Sequence, residues 1–265
     1  MKPWNIVQQN RYSVGMGTIT KSLASYFISF VVLASLARNG VAESLPEYRP
    51  ALLGHHHRSL INLIDTQSLM KRGQKDAIVM FEFGITQQGY GVNSRTYRES
   101  PNSELLKKEL MGRMDQAQFE PAVYRHAHVG VYIHGTVNFF IRDGKPHLRI
   151  FLNQSEDDLK SGRDFIEPQF AFVPNNTKFK GIYYPPQAPG HSGVASLKLN
   201  VDATGQVQAA SVIYEHPVGM NFGAQAVGPV RDALFIPAFR NGKPVACQFT
   251  WSVIYAGTGR QMSTG

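Results

Sequence analysis

Cysteine is nearly absent: the 265 residues hold one, Cys247. A lone cysteine excludes an intramolecular disulfide framework. No cysteine follows the apolar N-terminal run, so a lipoprotein-type N-terminus is excluded as well. Acids are missing from residues 1–42, which contain Lys2, Arg11, Lys21 and Arg38. That stretch supplies half of the formal charge of +8, leaving 8 − 4 = +4 for the rest. No Lys/Arg-rich run with interleaved aromatics occurs, which argues against nucleic acid as a partner. HExxH, GxSxG and paired acid–base carboxylates are also missing, so catalytic residues, cofactors and metal ligands are not expected.

What is present begins with an export signal. Ser22 to Ala37 is apolar, bounded by Lys21 and Arg38 and followed by Gly40-Val41-Ala42. Its length is closer to the roughly 15 residues of a signal-peptide core than to the about 20 of a membrane span. Residues 1–42 therefore read as a signal peptide cleaved after Ala42, with a retained inner-membrane anchor as the alternative. Initiation at Met16 would leave a compact basic start, MGTITK.

In the segment 43–76, Ser59 to Met70 carries apolar residues at near-helical spacing and predicts one helix, closed by Gly73. His55-His56-His57 precedes it, and three consecutive imidazoles do not easily converge on one metal, so a solvated loop is expected. From Ala77 to Asn153 the pattern reads strand, turn, strand, helix, corner and two further strands. The helix opens at Asn102 or Ser103, buries Leu106, Leu110 and Met114, and runs to about Gln118. Residues 154–182 read as connection, with a helix start at Ser155 and with Pro168 opposing a central strand. From residue 183 to 256 the order recurs. Val194 to Asp202 alternates, Ala203-Thr204-Gly205 turns, Val207 to Tyr214 returns, and Asn221 caps a helix reaching Ala233-Leu234. A Pro237-Ala238 corner and an Asn241-Gly242 loop follow, then a strand from Cys247 with Phe249, Trp251 and Val253 inward. Residues 257–265 read as a flexible tail.

Without a gap, Phe119 aligns with Phe235, Pro121 with Pro237, Ala122 with Ala238, Val129 with Val245 and Val137 with Val253. With the shared order of elements, this suggests an internal repeat. In this register the first copy carries Arg125-His126-Ala127-His128 where the second has Asn-Gly-Lys-Pro.

Gly193 to Val207, Pro237-Ala238, Asn241-Gly-Lys-Pro-Val245 and the preceding Tyr184-Pro185 resemble the C-terminal domain of TonB-type energy transducers. The resemblance spans about Tyr183 to Tyr255 and fades over Ala77 to Phe140. It implies an α+β fold of two such units, each a small antiparallel sheet with one helix on a face. It further implies a periplasmic protein that binds an extended segment of an envelope protein, such as an outer-membrane transporter, by strand addition. The partner-binding candidates are Gln248, Thr250 and Ser252 on the outward face of the last strand, with Tyr184 and Pro185. Two alternatives stand beside this reading. One is an envelope accessory or homodimer whose edges pair with each other. The other is a metal enzyme using His126, His128, His134 and His147.

Overall fold

The computed structural model describes residues 44–154, 164–188 and 190–255. The expected signal peptide, the expected helix start at Ser155 and the expected C-terminal tail lie outside them. The fold is sheet-dominated, with several antiparallel sheets and few helices. The expected helix at Ser59–Met70 is two short ones, α1 (Leu60–Leu63) and α2 (Thr66–Lys71). Ile64 is extended between them, and the Asp65 carboxylate accepts from the Ser68 N–H at 2.9 Å, capping the second.

Strands β2 (Ala77–Ile85) and β3 (Gly91–Glu99) form a hairpin, covered by α3 (Glu104–Met114). Leu106, Leu110 and Met114 are buried as the spacing predicts, and the helix stops four residues early. Its cap is remote: the Leu106 N–H donates to Gln74 Oε1 at 2.8 Å, while Ser103 makes no capping bond. Next come β4 (Ala122–Tyr124), the long β5 (Ala127–Arg142) and β6 (Lys145–Leu152). One edge of β5 pairs with β2. Along the other it meets β4, then β8 (Gln169–Phe172), then β6. The two-residue β1 (Tyr48–Arg49) borders β4.

The second half starts with β9 (Gly193–Val201) and β10 (Val207–His216), covered by α4 (Phe222–Val230). Then come β11 (Leu234–Ile236), β12 (Ala238–Arg240), β13 (Lys243–Val245) and β14 (Cys247–Tyr255), which returns beside β9. Leu234, expected as helical, is strand. The helix closes at Val230, one residue past Pro229, and Asn221 adopts φ 59° without a capping bond. The Glu215 carboxylate accepts the Gly219 and Gly223 N–H groups instead, at 3.0 and 2.9 Å.

Backbone pairings recur at an offset of 116 residues (205 − 89). The Phe119 N–H donates to the Gly89 carbonyl at 2.8 Å, and Phe235 to Gly205 at 2.9 Å. Ala77 sits opposite Phe139 and Ile85 opposite Val131; Gly193 sits opposite Tyr255 and Val201 opposite Cys247. Both hairpins also shift register at the same place, beyond Met80 and beyond Ser196. Arg125 and His126 take φ of 49° and 64°, matching 51° and 71° at Asn241 and Gly242. Such values strain non-glycine residues. The His126 ring, at 2.7 Å from the Leu45 carbonyl, helps hold the turn.

Residues 154–182 are more than a connection. β8 lies between β5 and β11, so it is paired on both sides. Pro168 stands just before the ladder, where its missing N–H costs no strand bond. Alternate residues of β8 serve two cores: Ala171 joins Phe81, Phe139 and Leu110, whereas Phe170 joins Leu199, Phe222 and Phe235. The two-residue β7 (Phe165–Ile166) borders β12 as β1 borders β4.

Candidate functional site

The site is best approached through the two strands that return to their hairpins. In the first segment the Asn153 N–H donates to the His134 carbonyl at 2.9 Å, so the backbone of His134 turns towards β6. Alternation along the ladder gives Thr136 and Asn138 the same orientation. At the common offset, Thr250, Ser252 and Ile254 turn their N–H and C=O groups to the corresponding edge of β14. There no strand pairs with β14 among the described residues. β5 has its outer edge filled by its own chain, while β14 presents an edge.

That edge faces a cleft of about 340 Å³. One wall is β14 from Phe249 to Ile254, with Val194 beside it; the other is the outward face of the first sheet, with Glu82, Tyr97, Tyr132 and His134. Asn153, Glu167, Pro168 and Phe170 close the bottom. Period-two alternation on β2 and β5 projects Glu82 and His134 to one face, and they are direct cross-strand neighbours. Glu82 pairs with Arg95 on its other side. His134 Nε2 lies 3.4 Å from the Glu167 carboxylate, and the Glu167 N–H donates to the Asn153 carbonyl at 2.7 Å. Trp251 stacks on Phe170, with ring centres 5.5 Å apart and planes 6° from parallel.

Electrostatics mark the wall as negative. The Tyr132 phenol is held well above its ordinary range, first by burial and then by the charge of Glu82. Tyr97 is raised by burial, then by Glu82, with Glu167 adding to it. Below the cleft, burial pushes the Cys247 thiol up to about 11, with Glu167 reinforcing and Arg240 opposing.

No protein-family model matches the chain, and neither curated proteins nor solved structures give a match.

The sequence-derived candidates divide. Thr250 and Ser252 line the cleft, and the Ser252 hydroxyl lies 3.0 Å from that of Ser196. Gln248 is exposed on the same face but donates to Asn200 Oδ1 at 2.8 Å, outside the cleft. Tyr184 and Pro185 are elsewhere. The Tyr184 ring packs edge-on against Phe222 and Tyr255, and Pro185 is buried. Tyr184 packs against the second core, and neither residue lines the cleft beside β14.

Among the described residues no three His, Cys, Asp or Glu side chains are placed to hold a metal ion. His55 and His57 are exposed, and His126 is engaged with Leu45. Glu82, Tyr132, Asn153, Glu167 and Phe170 were not foreseen. Glu82 and Tyr132 carry a sequence signal, as polar or amphipathic residues on the outward face of otherwise apolar strands.

Proposed function

We propose that this protein is an envelope protein-binding module of two TonB-C-terminal-like units, and that the second unit receives an extended partner segment along β14. The observation that carries the reading is the contrast between the two returning strands. At the same register, β6 lies against β5, and the matching edge of β14 opens onto a cleft. The first pairing supplies an intramolecular precedent for a strand added there, with main-chain bonds giving affinity and alternate pockets giving selectivity. The shared offset of the ladders supports the two units. The match of Gly193–Val207 and Asn241–Val245 to the TonB-type pattern supports the kind of partner, a segment of an outer-membrane transporter or another envelope protein. The apolar run Ser22–Ala37 supports export to the periplasm. With only Pro46 and Pro50 between Ala42 and Ala77, the chain lacks the long Pro-rich spacer of an energy transducer, so binding without energy coupling is the reading taken.

The test uses a photo-crosslinker at Thr250 in living cells, with and without Ser252→Pro. That proline deletes an outward-facing N–H and leaves the bonds to β9 in place. Crosslinks to an extended segment should form in the parent and disappear in the variant. Undiminished crosslinking with the fold intact would remove β14 as the docking edge.

A second reading, a homodimer with self-paired edges, is favoured by β10. Among the described residues this strand pairs only with β9, and Val212, Ile213 and Tyr214 on it are 41%, 52% and 53% exposed. Its counterpart β3 carries Arg95, Arg98 and Glu99, charges that discourage strand-to-strand association. A monomer at high concentration in sedimentation equilibrium would dismiss it.

A further inference from the structure

The cleft beside β14 has a charge character that the rest of the chain does not share. The protein carries a formal charge of +8, yet among the described residues no Lys or Arg lines this cleft, whereas Glu82 and Glu167 do. Glu82 is answered by Arg95 from outside the lining. Glu167 has His134 at 3.4 Å, an imidazole that carries charge only when protonated. Beside them Asn153 is 2% exposed. Its Nδ2 donates to the Pro168 carbonyl at 3.1 Å, and its Oδ1 accepts no hydrogen bond among the described residues. A buried acceptor without a donor is uncommon in a native fold and points to a missing partner that brings an N–H or O–H. Tyr97, Tyr132 and Trp251 add ring faces, which attract cations. Burial and the charge of Glu82 raise both phenols, so the negative field extends along the first-sheet wall.

Carboxylate, orphaned carbonyl oxygen and aromatic faces together call for a cation with N–H donors. The volume of about 340 Å³ is at the small end for ligand clefts and suits one long side chain. We infer that the segment added at β14 carries a Lys or Arg whose side chain enters this cleft, its N–H groups meeting Glu167 and Asn153 Oδ1 beside Trp251. This rests on β14 being the docking edge. The β6 ladder shows which position would deliver it. Leu152 of β6 sits opposite Gly135, the counterpart of Trp251, so the residue opposite Trp251 projects to the face that Trp251 shares with Phe170.

The probe is a peptide of the β6 sequence, Lys145 to Asn153, with Arg149→Thr to remove a nearby cation. It is made with Leu152 kept, or with Leu152→Lys, Leu152→Arg or Leu152→Glu, and titrated calorimetrically into the full chain. Lys and Arg peptides should bind about tenfold more tightly than the Leu peptide, and the Glu peptide most weakly. In protein carrying Glu167→Gln the Lys-to-Leu ratio should fall towards one. Equal binding of all four peptides would overturn the cation inference and leave the edge reading standing. No binding to a chain folded by circular dichroism would overturn both. Binding of n-butylammonium alone as tightly as the Lys peptide would make this a site for free amines and also overturn the proposal.

Discussion

Residues 77–139 and 193–255 hold the same ladders with different side chains, and the contrast separates what a backbone register needs from what it tolerates. Both segments keep a glycine at the hairpin turn, Gly89 or Gly205, whose carbonyl accepts the N–H of a buried Phe. Both place a glutamate at the end of the second strand near the following helix. Glu99 reaches Ser103 and Lys107, and Glu215 reaches Gly219 and Gly223. Elsewhere bulk is exchanged across the ladder. Phe81 faces Gly135 in the first segment, and Leu197 faces Trp251 in the second. Total volume, divided differently, fills each core. The outer edges diverge most, since Arg95 and Arg98 protect β3 and β6 covers β5, while among the described residues no strand covers the outer edges of β10 and β14.

The largest effect is expected at the shared turn. A Cβ at Gly205 would stand 1.8 Å from the Phe235 carbonyl oxygen, and one at Gly89 would stand 2.2 Å from that of Phe119. Both positions also have φ above 80°. Gly205→Ala should lose at least about 3 kcal/mol in urea unfolding, as backbone must move to admit the methyl. Gly89→Ala should behave alike; an effect below about 1 kcal/mol at either position would break the equivalence of the two turns.

A smaller effect tests the exchange of bulk. At Gly135 a Cβ would meet Phe81 Cζ at 2.6 Å, a side-chain contact that can be relieved. Gly135→Ala alone should cost about 1–3 kcal/mol. Combined with Phe81→Leu, which copies the residue of the second segment, its added cost should fall by about half. Strict additivity of the two changes would show that the pair is not coupled.

The mildest comparison is between Cys247 and its counterpart Val131. With the folded thiol pushed up to about 11, about one molecule in a thousand carries a thiolate at pH 8. Iodoacetamide should therefore modify native protein at pH 8 at least about 100-fold more slowly than protein in urea. The unfolded thiol loses its proton first as pH rises, so this group contributes less stability from about pH 9 towards 11. Equal alkylation rates in the two states would contradict the burial of this site.

Much of the second segment was legible locally. Alternation marked β9 and β14, Asn241-Gly242 marked a turn with positive φ, and the Phe119–Phe235 alignment has the offset that the ladders keep. Arg125-His126 hid the matching turn of the first segment, because the pair carries neither the glycine nor the asparagine that marks such a turn. Tyr184-Pro185 was singled out by resemblance alone, and the structure packs the Tyr184 ring against Phe222 and Tyr255. Helix ends were missed where the capping group comes from afar: Gln74 serves Leu106 across 32 residues, and Glu215 displaces Asn221 from its expected role.

The sequence by itself determined which stretches alternate, where glycine and proline break them, and that one pattern occurs twice. These are properties of neighbours along the chain, set by side-chain period and backbone sterics. Tertiary structure alone decided that Gln169–Phe172 is inserted between β5 and β11, that β6 closes the first edge, and that the edge of β14 faces Glu82, His134 and Glu167. Those pairings join residues far apart in the chain, and local periodicity carries no information about which face a distant strand will meet.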